Sequence, residues 1–153
     1  MFEALQPAMI PAAATAIDKG LSYDEAKCAF QTSLAAEAMR RTDSDYRAAK
    51  ILKMAPRWFS VVVKRKRWSA LQPAMTPAAA AAIDLGLSYQ QATAAYEQAV
   101  TAEAIRRAGN KQRAAQILRM ARTWLSRVSK GNRRGSFNRG GGKKPKRLAA
   151  VES

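Results

Sequence analysis

Residues 113–128 read RAAQILRMARTWLSRV, and residues 47–62 of the same chain read RAAKILKMAPRWFSVV. Sliding the sequence by 66 positions extends this match without a gap, aligning residues 4–66 with residues 70–132. Roughly 35 of about 63 pairs are identical, which marks a duplicated unit and not a chance echo. The period is far longer than that of solenoid repeats, so each copy is expected to be a small domain in itself, over residues 4–66 and 70–130.

Each quoted stretch has the pattern of a helix-turn-helix. Two short helices that cross steeply need a small residue where their backbones approach and apolar residues that pin the angle. Ala115 takes the close-approach position; Ala114, Leu118, Met120, Leu125 and Val128 take the core positions. Copy 1 matches with Ala49, then Ala48, Leu52, Met54, Phe59 and Val62. One such match would be weak, because many helical hairpins show it; two in register carry more. The residue opening the turn is usually Gly, which tolerates positive φ, but here it is Lys53 or Arg119, at some cost in strain.

The punctuation before each pair repeats as well. Pro11 and Gly20 bracket one short helix, Pro77 and Gly86 its counterpart, with Pro near the start and Gly just past the end. Ser22 with Glu25, and Ser88 with Gln91, fit capping boxes for a long helix. That helix carries an apolar stripe at Tyr23, Ala26, Phe30, Leu34 and Ala38, and again at Tyr89, Ala92, Tyr96, Val100 and Ala104. It closes with Arg40-Arg41 or Arg106-Arg107, read as partners of the helix dipole and as solvated surface. Ser44 and Asn110 cap a third helix, and a fourth begins near Pro56 or Arg122. The expected fold is all-α: two tandem four-helix units.

Composition agrees. The 153 residues are 48% hydrophobic but only 7% aromatic, with alanine dominating, which suits closely packed helices. A net charge of +16 predicts polyanionic partners, nucleic acid first and anionic membrane second. There is no histidine, and the single Cys28 excludes an internal disulfide and any Cys-based zinc site; no metal or cofactor is expected. Cys28, where copy 2 has Ala94, reads as a small core or interface residue. The start of the chain does not read as a signal peptide, and no apolar run approaches the roughly 20 residues needed to span a bilayer. A soluble, cytoplasmic protein is expected. An enzyme is the least expected class: Asp18 and Asp84, in IDKG and IDLG, have no plausible partner in sequence and read as helix-end residues.

AIRRAGNKQRAAQILRMARTWLSRVSK, residues 104–130, resembles the C-terminal DNA-binding domain of the Fis family, shared with NtrC-type activators. The shared pattern is a long helix ending in two basic residues, Gly-Asn, a basic residue before Ala-Ala, an apolar pair, and Arg opening the last helix. LSYDEAKCAFQTSLAAEAMRRT, residues 21–42, resembles the preceding helix of that family, so the likeness covers most of each copy. It implies a dimer whose first two helices form a four-helix core, with recognition helices close together and the bound DNA bent. Because this chain carries two copies, it implies a covalently fused pseudo-dimer reading half-sites in adjacent major grooves. The sequence leaves open whether the copies pair within one chain or exchange between two, as a domain-swapped homodimer. Unlike the NtrC-type activators, the chain has no P-loop glycine motif and no room for an ATPase or receiver domain.

The implied partner is double-stranded DNA at the nucleoid, and the role that of a bacterial regulator or architectural factor. In copy 2 the expected contacts are Arg122, Thr123, Ser126, Arg127 and Lys130 on the last helix, with Asn110 and Lys111 near phosphate. In copy 1, Pro56 and Val61 replace Arg122 and Arg127, leaving Arg57, Ser60 and Lys64 and predicting unequal half-sites. Trp58 and Trp124 are each expected to pack on their own helix pair. Residues 131–153 hold seven Lys/Arg and one Glu and read as a disordered basic tail, with Arg133, Arg134, Lys143 and Lys144 available to phosphate. The Arg/Gly-rich tail also suggests an alternative RNA-binding role. A membrane-surface role is disfavoured, because the helices carry Ala in place of large apolar residues. Deleting residues 131–153 is expected to lower affinity for duplex DNA and flatten the plot of log K against log salt; an unchanged slope would refute a role for the tail.

Overall fold

The computed structural model describes residues 5–65 and 69–129; Lys130 and the tail residues lie outside this range. It contains α1 (Gln6–Asp18), α2 (Tyr23–Arg40), α3 (Asp45–Ile51) and α4 (Pro56–Val63), then a 3-10 turn at Ser69–Leu71. Copy 2 follows with α5 (Gln72–Asp84), α6 (Tyr89–Ala108), α7 (Lys111–Leu118) and α8 (Arg122–Ser129). Among the described residues the protein is all-α, with no strand.

Local chemistry sets most of the boundaries. Ser22 and Ser88 form both arms of a capping box, each hydroxyl accepting from the N3 amide while Glu25 or Gln91 accepts from the cap amide. At Gly20 and Gly86, both with φ of 76°, the chain leaves its helix through paired amide bonds back to the last turn, the Schellman arrangement. One expectation is corrected. α1 and α5 do not begin at Pro11 and Pro77; they start more than a turn earlier, and both prolines lie inside the helix. Burial explains this: Leu5, Met9, Ala12 and Ala16 form a stripe at spacings of four and three, fully buried. Extending that stripe outweighs the one amide bond each interior proline forfeits.

The tertiary arrangement crosses the copies over. α1 lies against α5 and α6, and α5 against α1 and α2, so each short first helix is covered mainly by the other copy. Together with the α2–α6 contact this makes a four-helix core of α1, α2, α5 and α6. One continuous hydrophobic cluster runs through both copies, from Leu5 to Val128. Ala12, Ala13, Ala16, Ala29 and Ala35, with Ala78, Ala79, Ala82 and Ala95, are buried there, letting backbones approach closely.

At the centre, Phe30 stacks on Tyr96 with ring centroids 4.5 Å apart and planes 5° from parallel. These two residues are each other's equivalents, 66 positions apart. A contact between equivalent residues is what a two-fold-like interface places on its own axis. The Tyr96 hydroxyl then reaches the Ala12 carbonyl of copy 1 at 3.4 Å. Truncating Phe30 to Ala is expected to cost about 3–5 kcal/mol, with Phe30→Ala and Tyr96→Ala coupled by more than about 0.5 kcal/mol. Urea titrations of the four-member cycle measure both; additive losses would contradict the stacked pair as the centre of the core.

Candidate nucleic-acid interface

Each outlying helix pair is rooted on its long helix: α3 and α4 on α2, α7 and α8 on α6. The caps are the ones expected from sequence. Ser44 accepts from the Arg47 amide at 3.2 Å, and Asn110 from the Arg113 amide at 2.8 Å. Ala48, Ala49, Leu52, Phe59 and Val62 are buried in copy 1, as are Ala114, Ala115, Leu118, Leu125 and Val128 in copy 2. Met54 and Met120 are half-buried against the same cluster.

The two turns adopt the left-handed conformation without glycine, with φ of 56° at Lys53 and 52° at Arg119. Both side chains have a use that glycine lacks. Lys53 Nζ donates to the Gly86 carbonyl at 2.9 Å, and Arg119 Nη2 donates to the Gly20 carbonyl at 3.1 Å. Each thus ties its turn to the C-terminal end of the other copy's first helix, where a cation is favourable. Arg119 also reaches Glu25 at 3.0 Å. The strain of a side chain at positive φ is offset by this cross-copy contact.

A second pair of ties holds the roots. Arg41 bonds Glu37 at 3.0 Å on its own helix and Asp84 of the other copy at 2.7 Å. Arg107 bonds Glu103 at 2.9 Å and also reaches Asp18. Asp18 and Asp84 are therefore not merely helix-end residues: each has a partner 89 or 43 positions away, brought close only by the crossing of α1 and α5. The arginine pairs are correspondingly more than dipole partners. Hydrogen bonds donated to Asp84 and then Glu37 raise the pKa of Arg41, and those donated to Asp18 and then Glu103 raise that of Arg107. Buried Glu103 is held below the usual carboxylate range, first by its hydrogen bond from Arg106 and, against the opposing effect of burial, by that from Arg107.

With these cations committed to structure, the exposed ones stand out. Arg122, Thr123 and Arg127 on α8 are exposed, Ser126 is half-buried, Asn110 is exposed and Lys111 half-buried at the start of α7. On copy 1, Arg57 and Lys64 are exposed and Ser60 half-buried. Lys130, Arg133, Arg134, Lys143 and Lys144 lie outside the described residues. Sequence reasoning passed over Arg113, exposed on α7, which lines a cleft of about 410 Å³ with Arg107, Gln116 and Ile117. Its signal was available, since Arg113 is the basic residue before Ala-Ala in copy 2.

The tryptophans part company. Trp124 is half-buried against the core, with the Arg127 guanidinium 5.4 Å from its ring centroid. Trp58 does not pack down in the same way and is 59% exposed. Val61, standing where copy 2 has Arg127, offers no cation to cover it. A cleft of about 300 Å³ opens beside Trp58, lined by Lys53, Met54, Ala55, Tyr89 and Gln90. Cys28 is half-buried on α2. Among the described residues no cluster of His, Cys, Asp or Glu could hold a metal ion, and no helix is long and apolar enough to cross a membrane.

No protein-family model, curated protein or solved structure matches the chain. What the fold and surface define is therefore a class: an all-helical protein with two capped, basic helix pairs on one shared core.

Glu103 sets an acid dependence. Its folded-state pKa is depressed, so its contribution to stability is complete above the ordinary carboxylate value of 4.5 and fades as pH falls through the lowered value. The urea midpoint is expected to decline as pH drops below this point, and Glu103→Gln to show a shallower decline. Parallel acid limbs for the two proteins would contradict the assignment.

Proposed function

We propose that the chain is a non-enzymatic double-stranded DNA-binding protein, its two helix-turn-helix pairs reading half-sites in adjacent major grooves. One observation carries this reading: two helix pairs, each with an exposed basic face, are tied reciprocally to a single four-helix core. A Fis-like dimer needs two copies of such a unit, and here α1 and α5 exchange within one polypeptide. The reading is thus an intramolecular pseudo-dimer, whose DNA binding survives dilution because pairing is intramolecular. A net charge of +16 supports a phosphate partner and fast, salt-dependent association.

On this reading α4 and α8 are the recognition helices. Arg122 and Arg127 contact base edges or phosphate from α8, and Arg57 does so from α4. The start of α7, with Asn110 and Lys111, meets the backbone, since free amides and the helix dipole attract anions. The family resemblance implies recognition helices close enough together to bend the bound duplex. The protein acts as a transcriptional regulator where its sequence preference is strong and as a nucleoid architectural factor where it is weak.

Fluorescence anisotropy on a labelled duplex at one fixed salt concentration tests this. Replacing Arg122 and Arg127 together by Ala is expected to weaken binding about 100-fold, and Arg57→Ala about tenfold. Unlabelled duplex should displace the probe far better than single-stranded RNA. Preferential displacement by RNA, or full binding by the double variant, would overturn the reading.

A further inference from the structure

The two recognition helices of that reading differ in a patterned way. On α4 the buried side is set by Phe59 and Val62, and the opposite side by Arg57, Val61 and Lys64, at spacings of four and three. All three are exposed, Val61 to 51%. The equivalent side of α8, opposite buried Leu125 and Val128, presents Thr123 and Arg127, both exposed. The order of chemistry is reversed between the copies. Along the chain α4 offers an arginine and then a methyl-bearing residue one turn on; α8 offers a methyl-bearing residue and then an arginine.

Those two side-chain types read different base edges. An arginine forks onto guanine O6 and N7, and a methyl group packs against the thymine C5-methyl. Four residues of helix rise about 6 Å, which is about two base-pair steps for a helix lying along the groove. A symmetric homodimer presents one order twice and therefore reads a palindrome. This chain cannot: the exchange sits at the outermost positions of both helices. It extends to the surroundings, because Arg127 lies over the Trp124 ring while Val61 adjoins an exposed Trp58.

Resting on the DNA-binding reading above, we propose that the protein recognises a non-palindromic site in one fixed orientation. Copy 1 takes a guanine at Arg57 and a thymine methyl at Val61. Copy 2 takes a thymine methyl at Thr123 and a guanine at Arg127. Relative to its recognition helix, the guanine is displaced by about two base steps between the two half-sites. The duplication thereby supplies what a homodimer lacks, a direction along the DNA.

Selection of binding sites from a random duplex library, with the full chain, tests this. The unaltered protein should enrich a motif whose halves differ, with guanine at displaced positions. The variant Arg57→Thr with Val61→Arg gives copy 1 the order of copy 2 on this side, and should move the copy 1 guanine to the position it holds in the other half while losing about tenfold in affinity for the original site. Thr123→Arg with Arg127→Val, built on the other copy, should also bring the two guanines to equivalent positions, with the opposite order. All four positions are exposed, and circular dichroism verifies that each variant keeps its helices. A palindrome from the unaltered chain, motifs indifferent to both exchanges, or duplex binding without sequence preference would each overturn the directional site and leave the DNA-binding reading in place. Failure to enrich any duplex would remove both.

Discussion

The interaction on which the rest depends is the crossing of α1 and α5. The stripe of Leu5, Met9, Ala12 and Ala16 finds its main cover in the other copy, and leaving it in water would forfeit its hydrophobic contribution. Once each first helix lies on the opposite long helix, α2 and α6 are drawn together and Phe30 meets Tyr96. The same crossing carries Asp18 to Arg107, Asp84 to Arg41, and the ends of α1 and α5 to the turns at Arg119 and Lys53. Placement of the helix pairs follows from burial at the centre and polar ties at the rim.

The ties also show how charge is divided. This chain has 27 basic residues and only 11 acidic ones, so most cations have no carboxylate available. Arg41 and Arg107 use theirs at the roots, where a bidentate guanidinium fixes two elements at once. Exposed cations remain on α4, α7 and α8, whose own sequences hold no acidic residue. Among the described residues Arg122 and Arg57 are exposed and have no ion pair, so either can meet an external anion.

Much of this was legible in the residues. Serine and asparagine caps, the glycine-terminated first helices and the buried positions of both helix pairs obey short-range rules, and all stand where those rules put them. The start of α1 was misjudged because proline was weighed as punctuation, whereas burial of Leu5 and Met9 extends the helix past it. The lysine and arginine at the turns looked like a departure with a cost; the carbonyls that compensate them belong to the other copy. The unequal tryptophans were hidden as well: the Arg127 guanidinium lies over Trp124, while Val61, at the equivalent place in copy 1, carries no charge.

Sequence alone therefore determined most of the elements among the described residues: the serine- and asparagine-capped helices, the glycine ends of α1 and α5, the duplication and the basic balance, because each is set by residues within a turn or two of one another. Only the tertiary structure decided which helix covers which, and hence that the two copies share a core. That choice depends on matching apolar faces and polar partners 33 to 99 positions apart, and two closely similar copies offer the same faces to themselves and to each other. Packing breaks the tie, since the crossed arrangement satisfies both aspartates, both strained turns and the central aromatic pair together.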